Sequence, residues 1–160
     1  YNWKLRSFAN YIQQLEMESL GKPSNAESIF HETGQTIFGG FGSTAQHSYF
    51  QLLHQGTSQC SADIIYSPTP QSPLSNAQAK GQASLLSSPQ KQSSDLRELT
   101  NGNIPVNLFV VPKLSLRELG FLLATWEHRV FVTASLMQIN PFDQFGVAAG
   151  KTAAQKFLKK

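Results

Sequence analysis

Two short apolar runs, Ala62 to Tyr66 and Val106 to Val111, constrain this chain more than any other feature. Each is strand-sized, and helical patterning stands between and around them. Strands that alternate with helices imply an α/β domain with a parallel sheet, its right-handed crossovers covering the faces. The run at 106–111 is apolar enough for a buried parallel strand. Thr36, Ile37 and Phe38 form a third, shorter strand candidate. The length of 160 residues fits one domain, and 40% hydrophobic against 14% charged residues is a globular balance.

The helices are read from spacing and stop signals. Phe8, Tyr11, Ile12 and Leu15 follow the i, i+3, i+4, i+7 pattern of an amphipathic helix. Gly21 and Pro23 stop it, which places Glu18 near a C-terminal end whose dipole disfavours a carboxylate. A helix is expected from Ala45 to Gln55, with Gly56 at its end. Ser115 and Glu118 form a capping box at the start of a long helix that Asn140 and Pro141 break. Val147 to Leu158 reads as the last helix. Ser67 to Ser94 is rich in Ser, Gln and Pro and reads first as a linker or loop, within which Ala77 to Leu86 can form a helix.

Charge and cysteine content narrow the function. The formal net charge of +3 is mild, and its one cluster, Lys156, Lys159 and Lys160, reads as a solvated helix end. A nucleic-acid surface needs more Lys and Arg with aromatics between them. The most apolar stretch, Leu114 to Ile139, carries Arg117, Glu118, Glu127, His128 and Arg129, which argues against a membrane span. Cys60 is the only cysteine, so no internal disulfide and no thiol metal spacing exists, and a reduced, cytoplasmic setting is the default. The chain begins with Tyr1 already leading into a helical pattern, so it is expected to be part of a longer protein.

Several groups can do chemistry. The Gly-rich run Gly39 to Thr44 precedes the helix expected at Ala45, and free N–H groups at a helix start attract anions such as phosphate. Such a turn also serves simply to reverse the chain. His47, in the first turn of that helix, is expected to be neutral and able to exchange a proton near neutral pH; a histidine packed at an interface is the other reading. Lys151 can meet a phosphate or a ring oxygen, or stand on the surface. His54 with His47 lacks a third ligand for a metal. His128, between Glu127 and Arg129, is read as part of a structural charge network.

Three segments resemble glucose-6-phosphate isomerases (phosphoglucose isomerases). Gln13-Gln14-Leu15-Glu16-Met17-Glu18-Ser19-Leu20-Gly21-Lys22 is similar to that family's Gln-Gln-x-x-Met-Glu-Ser-x-Gly-Lys stretch. Phe38 to His47 and Gln51 to Thr57 resemble its Gly-rich segment. Trp126 to Val132, Ile139 to Val147 and Gly150-Lys151 resemble its C-terminal signature. The segments occur in the family's order.

The resemblance implies a three-layer sugar-isomerase (SIS-like) domain, a parallel sheet flanked by helices, incomplete without an N-terminal part and covering residues 1–160. It implies interconversion of glucose 6-phosphate and fructose 6-phosphate through a cis-enediol. Glu18 matches the base that moves the proton between C1 and C2. His47 and Lys151 match residues that open the sugar ring. Gln14 matches a phosphate-side ligand, Gln144 lies in the same pocket, and Gly42 gives substrate close access to the backbone. No metal or organic cofactor is implied. The family is a homodimer in which His47 would complete the site of the partner subunit.

The departures are local. Gly40 and Phe41 stand where the family has a Glu-Pro pair, Ala148 stands where it usually has Glu, and Ser67 to Asn103 is shorter and more polar than its two-helix insertion. The family's enediolate-stabilising arginine and its Ser/Thr phosphate loop precede this segment, so the chain by itself is expected to be inactive. Two other readings stand beside the enzyme: a non-catalytic sugar-phosphate-binding module of the same fold, and a structural or signalling segment.

Overall fold

A computed structural model describes residues 1–88 and 93–158. In chain order it holds α1 (Phe8–Leu20), α2 (Gly42–Ala45), α3 (Phe50–Gln55), β1 (Ala62–Tyr66), α4 (Pro73–Ser87), β2 (Val106–Val110), α5 (Leu116–Met137) and α6 (Phe145–Leu158). The α/β class and the parallel sheet flanked by helices are as expected. The residues group into two compact units, one of Tyr1–Ala9 with Gly39–Phe121, the other of Asn10–Phe38 with the chain from Leu122 onward.

The first unit is built on the sheet. β1 and β2 pair in parallel, Ala62 with Val106 through Tyr66 with Val110. Parallel strands need a long crossover, and α4 lies within it. Its residues Ala79, Ala83 and Leu86, at helical spacing, are buried in one core with Ala45, Phe50, Leu53, Ile64 and Tyr66. Pro73 opens α4, where its missing N–H costs nothing. About half of the Ser67–Ser94 stretch is thus helix, Pro73–Ser87, which takes in the helix expected from Ala77 to Leu86, and residues 89–92 lie outside the described ones. The small apolar stripe is what a Ser- and Gln-rich composition conceals.

Three expectations are corrected here. The helix foreseen from Ala45 to Gln55 is divided into α2 and α3 by tight turns at 46–49, where His47 N and Ser48 N donate to carbonyls three residues back (3.0 and 2.9 Å). An unbroken helix would set Ala45 and Phe50 about 140° apart at 100° per residue; the turns let both enter the same core. Thr36 to Phe38 is irregular, because no strand runs beside it among the described residues. β2 is parallel but not buried: α4 covers the Ile64 and Tyr66 side of the sheet, while their register partners Leu108 and Val110 stay 40% and 49% exposed.

In the second unit, α1 and α5 bury stripes with a repeat of four. On α5 these are Leu122, Trp126, Val130 and Ala134. Leu20, Val130 and Ala134 form a small core with Leu15 and Ile139 against it. α5 ends before Asn140 and Pro141, at a Schellman motif: Gln138 is left-handed (φ 57°), Ile139 N donates to Ala134 O (3.0 Å) and Gln138 N to Ser135 O (3.2 Å). Gly34 closes the far side of the α1 terminus. Its φ is +70°, and a Cβ there would lie 2.8 Å from Gly21 Cα, so glycine is required on both counts.

Ser115 and Glu118 pair at the start of α5, with the serine hydroxyl on the second N–H of the helix instead of the third. Arg117 N donates to Ser115 Oγ (3.2 Å), Ser115 N donates to Glu118 Oε2 (3.3 Å), and the Ser115 hydroxyl also donates to that carboxylate. The Ser115 hydrogen bond, chiefly, holds the Glu118 carboxyl below its ordinary pKa. Ser115→Ala is expected to cost about 1 kcal/mol in urea denaturation at neutral pH. A folded pKa below the unfolded one contributes stability above the unfolded pKa that is lost as pH falls through the folded value, so the penalty should shrink in acid.

Candidate functional site

The helical repeat of α1 sets the site's first two members. Gln14 and Glu18 are four residues apart and share a face, and the buried side of the helix lies elsewhere, at Glu16 and Leu20. Glu18 is half-buried in the last turn of α1. The helix dipole disfavours a carboxylate there, and Lys22 offsets it, its ammonium donating to the carbonyls of Glu18 and Ser19.

The third member arrives from the far end of the sequence. Gln144 stands immediately before α6, and its carbonyl accepts from Ala148 N (3.1 Å) as the helix begins. Its side-chain amide donates to Glu18 Oε2 at 3.0 Å. Lys151 is seven residues on, two helical turns, so it lies on the same face of α6 as Gln144 and is exposed. The second unit therefore presents a carboxylate with an amide donor on it, a second amide one turn back along α1, and an ammonium two turns along α6. A carboxylate held by an amide donor and open on its other side can take up and release a proton.

Gly42 and His47 belong to the first unit. Gly42 opens α2 and is buried; a Cβ there would sit 2.3 Å from the Tyr1 ring, which gives a packing reason for the glycine. His47 is exposed in the turn between α2 and α3, outside either helix. The helix-start argument for a neutral ring and for an anion site at the Gly-rich run therefore lapses, since one turn of helix carries little dipole. His54 shares a hydrogen bond with Gln82 Oε1 (2.7 Å). His128 bonds the Ala124 carbonyl of its own helix (2.6 Å), while its neighbours Glu127 and Arg129 reach α1, Glu127 Oε1 accepting from Tyr11 Oη (3.1 Å) and Arg129 Nε lying 3.8 Å from Glu16 Oε1. Among the described residues no cluster of three His, Cys, Asp or Glu is placed for a metal ion, and no helix is long and apolar enough to cross a membrane.

Glu16, Gln35 and Arg129 are the polar group that the sequence reading passed over. The signal was available: Phe8, Ile12, Glu16 and Leu20 stand four apart, so Glu16 occupies a position on the inward stripe of α1.

The sequence model of the family described as Phosphoglucose isomerase matches residues 1–160. The glucose-6-phosphate isomerase of Legionella pneumophila (strain Lens) is 39% identical over 155 residues, covering 96% of this chain and 31% of that protein. That of Shewanella loihica is 37% identical over 186 aligned positions, covering 100% of this chain and 34% of that protein. The chain thus spans about a third of the length of these curated relatives. A crystal structure of a glucose-6-phosphate isomerase from Chlamydia trachomatis matches with a TM-score of 0.87 at 32% identity, over 99% of this chain and 33% of that one. A hypothetical protein from Thermus thermophilus, at 21% identity and a TM-score of 0.77, covers 100% of this chain and 40% of its own and shares the fold.

The contact between Gly42 and Tyr1 gives a direct test. Gly42→Ala should lower stability by about 1–3 kcal/mol through overpacking, and Tyr1→Ala in the same protein should recover part of the loss. Additive effects in a double-mutant cycle read by urea denaturation would contradict the contact.

Proposed function

The chain belongs to the phosphoglucose isomerase family, and we propose that it is the C-terminal part of an enzyme interconverting glucose 6-phosphate and fructose 6-phosphate. The observation that carries this reading is the hydrogen bond from the Gln144 amide to the Glu18 carboxylate (3.0 Å), which joins two of the motif residues. Family relatives named for that activity supply the substrate class.

In this reading Glu18 is the base. Its carboxylate removes the proton from the carbon next to the substrate carbonyl, the electron pair enters the C1–C2 double bond and the carbonyl oxygen takes up the negative charge. The hydroxyl proton passes between the two oxygens through the cis-enediol, and the same carboxyl group returns the carbon-bound proton to the neighbouring carbon as the new carbonyl forms. A positioned base supplies about 10² to 10⁴ in rate. Lys151 and His47 open the sugar ring, the first by donating to the ring oxygen. His47 is supplied by a second copy of the chain in a homodimer, which suits an exposed histidine on a turn. Gln14 binds on the phosphate side, Gln144 holds the carboxylate and borders the substrate, and Gly42 lets the backbone approach the sugar. The reaction needs proton transfers only, and the enzyme works in the cytoplasm on a soluble metabolite. The chain taken alone is inactive, because the enediolate-stabilising arginine and the phosphate loop come from the preceding part.

Glu18→Gln in the complete protein should lower kcat for fructose 6-phosphate by about 10² or more and leave the melting temperature near that of the parent. Near-normal turnover would remove Glu18 from the role of base. Inactivity of an intact, dimeric parent would favour a sugar-phosphate-binding module instead. His47→Ala should slow turnover of cyclic sugar more than of an open-chain analogue, and equal losses on the two would contradict its part in ring opening.

A further inference from the structure

Among the described residues Glu16 is the charged side chain that the fold buries, at 2% exposure. It lies two residues before Glu18, on the opposite side of α1. A carboxylate removed from water costs several kcal/mol unless it is paired and hydrogen-bonded. The partners are present. Gln35 Nε2 donates to Glu16 Oε2, while Oε1 accepts no hydrogen bond among the described residues and lies at ion-pair distance, 3.8 Å, from Arg129 Nε. Farther along the two helices, Tyr11 Oη donates to Glu127 Oε1 (3.1 Å).

These contacts do something the apolar stripe cannot. Burial of Leu15 and Leu20 against Val130 and Ala134 is non-directional, whereas a polar contact links named atoms on the two helices. Polar contacts at two levels, Tyr11 with Glu127 and Glu16 with Arg129, fix the axial position of α1 on α5. Gln35 adds a tie from the irregular segment that also packs on the α1 terminus through Gly34. The position of the α1 terminus is the position of the Glu18 carboxylate.

We propose that Glu16, with Gln35 and Arg129, is a positioning residue for Glu18, setting where the proposed base stands without touching substrate. The proposal rests on Glu18 being the base. A displacement of about 1 Å at a reacting group can cost about 10²-fold in rate, so a modest slip of α1 is visible in turnover.

The test uses the complete protein with Glu16→Gln, Glu16→Leu, Arg129→Met and the double variant Glu16→Leu/Arg129→Met, with kcat, KM and melting temperature measured for each. Glu16→Gln keeps an acceptor for Gln35 and guards against the case in which Glu16→Leu fails to fold. The expected result is a fall in kcat of about 10- to 100-fold in the single variants, with KM within about twofold, well below the melting temperature. The double variant, apolar in place of a buried pair, should regain melting temperature but not kcat. Unchanged kcat with a lowered melting temperature would overturn the proposal, as would a rise in KM alone or full recovery of kcat in the double variant. Glu18→Gln, assayed alongside, separates the two levels: normal turnover there defeats the base assignment, whereas its collapse beside fully active Glu16 variants defeats only the positioning role.

Discussion

Parallel pairing of β1 with β2 governs the first unit. Two parallel strands cannot be joined by a tight turn, so the chain between Tyr66 and Val106 has to travel back along the sheet. That journey supplies α4, and α4 supplies the cover for β1. The Ser- and Gln-rich composition of the crossover is compatible with this duty because three inward positions, Ala79, Ala83 and Leu86, suffice, and small side chains there let the helix lie close to the strand. The division of the expected Ala45–Gln55 helix follows from the same core, which takes in Ala45, Phe50 and Leu53 together.

The second unit is governed by helix periodicity. Repeats of four on α1 and α5 decide which side chains turn inward, and by subtraction which are presented. Gln14 and Glu18 share a face because they are one turn apart. Glu16 is enclosed because its neighbours at four-residue spacing are Ile12 and Leu20. One geometric rule thus produces both the accessible carboxylate and the enclosed one, and their opposite surroundings give a reason for opposite duties.

Much of this was legible in the sequence. Periodicity announced α1; short apolar runs announced β1 and β2; Ser115 and Glu118 announced the start of α5, where the structure pairs them with the Ser115 hydroxyl accepting from the second N–H of the helix, that of Arg117. These are local signals, complete within a dozen residues. What was hidden is non-local. The contact of Gln144 with Glu18 spans 126 positions, and family resemblance suggested a shared pocket where spacing said nothing. The break around His47 was hidden because a tight turn and a helix share the same residue types there. Asn140 and Pro141 announced the end of α5, while the motif that makes it was hidden, because a left-handed Gln138 lacks the usual glycine signature. The third strand failed for want of a neighbour, which no three residues can disclose about themselves.

The half-covered face of β2 has a colloidal consequence. Leu108 and Val110 lie on a five-residue strand whose outer edge has no strand beside it among the described residues. A strand at the edge of a sheet, with apolar side chains beside it, is a template on which a further strand can add. The polar pair Asp63 and Asn107, hydrogen-bonded across the sheet at 2.8 Å, lies at positions of opposite pleat to Leu108 and so leaves that side undefended. Among the described residues both strands of this sheet are edges, and how the apolar side chains of β2 are shielded bears on association separately from the stability of the core behind them.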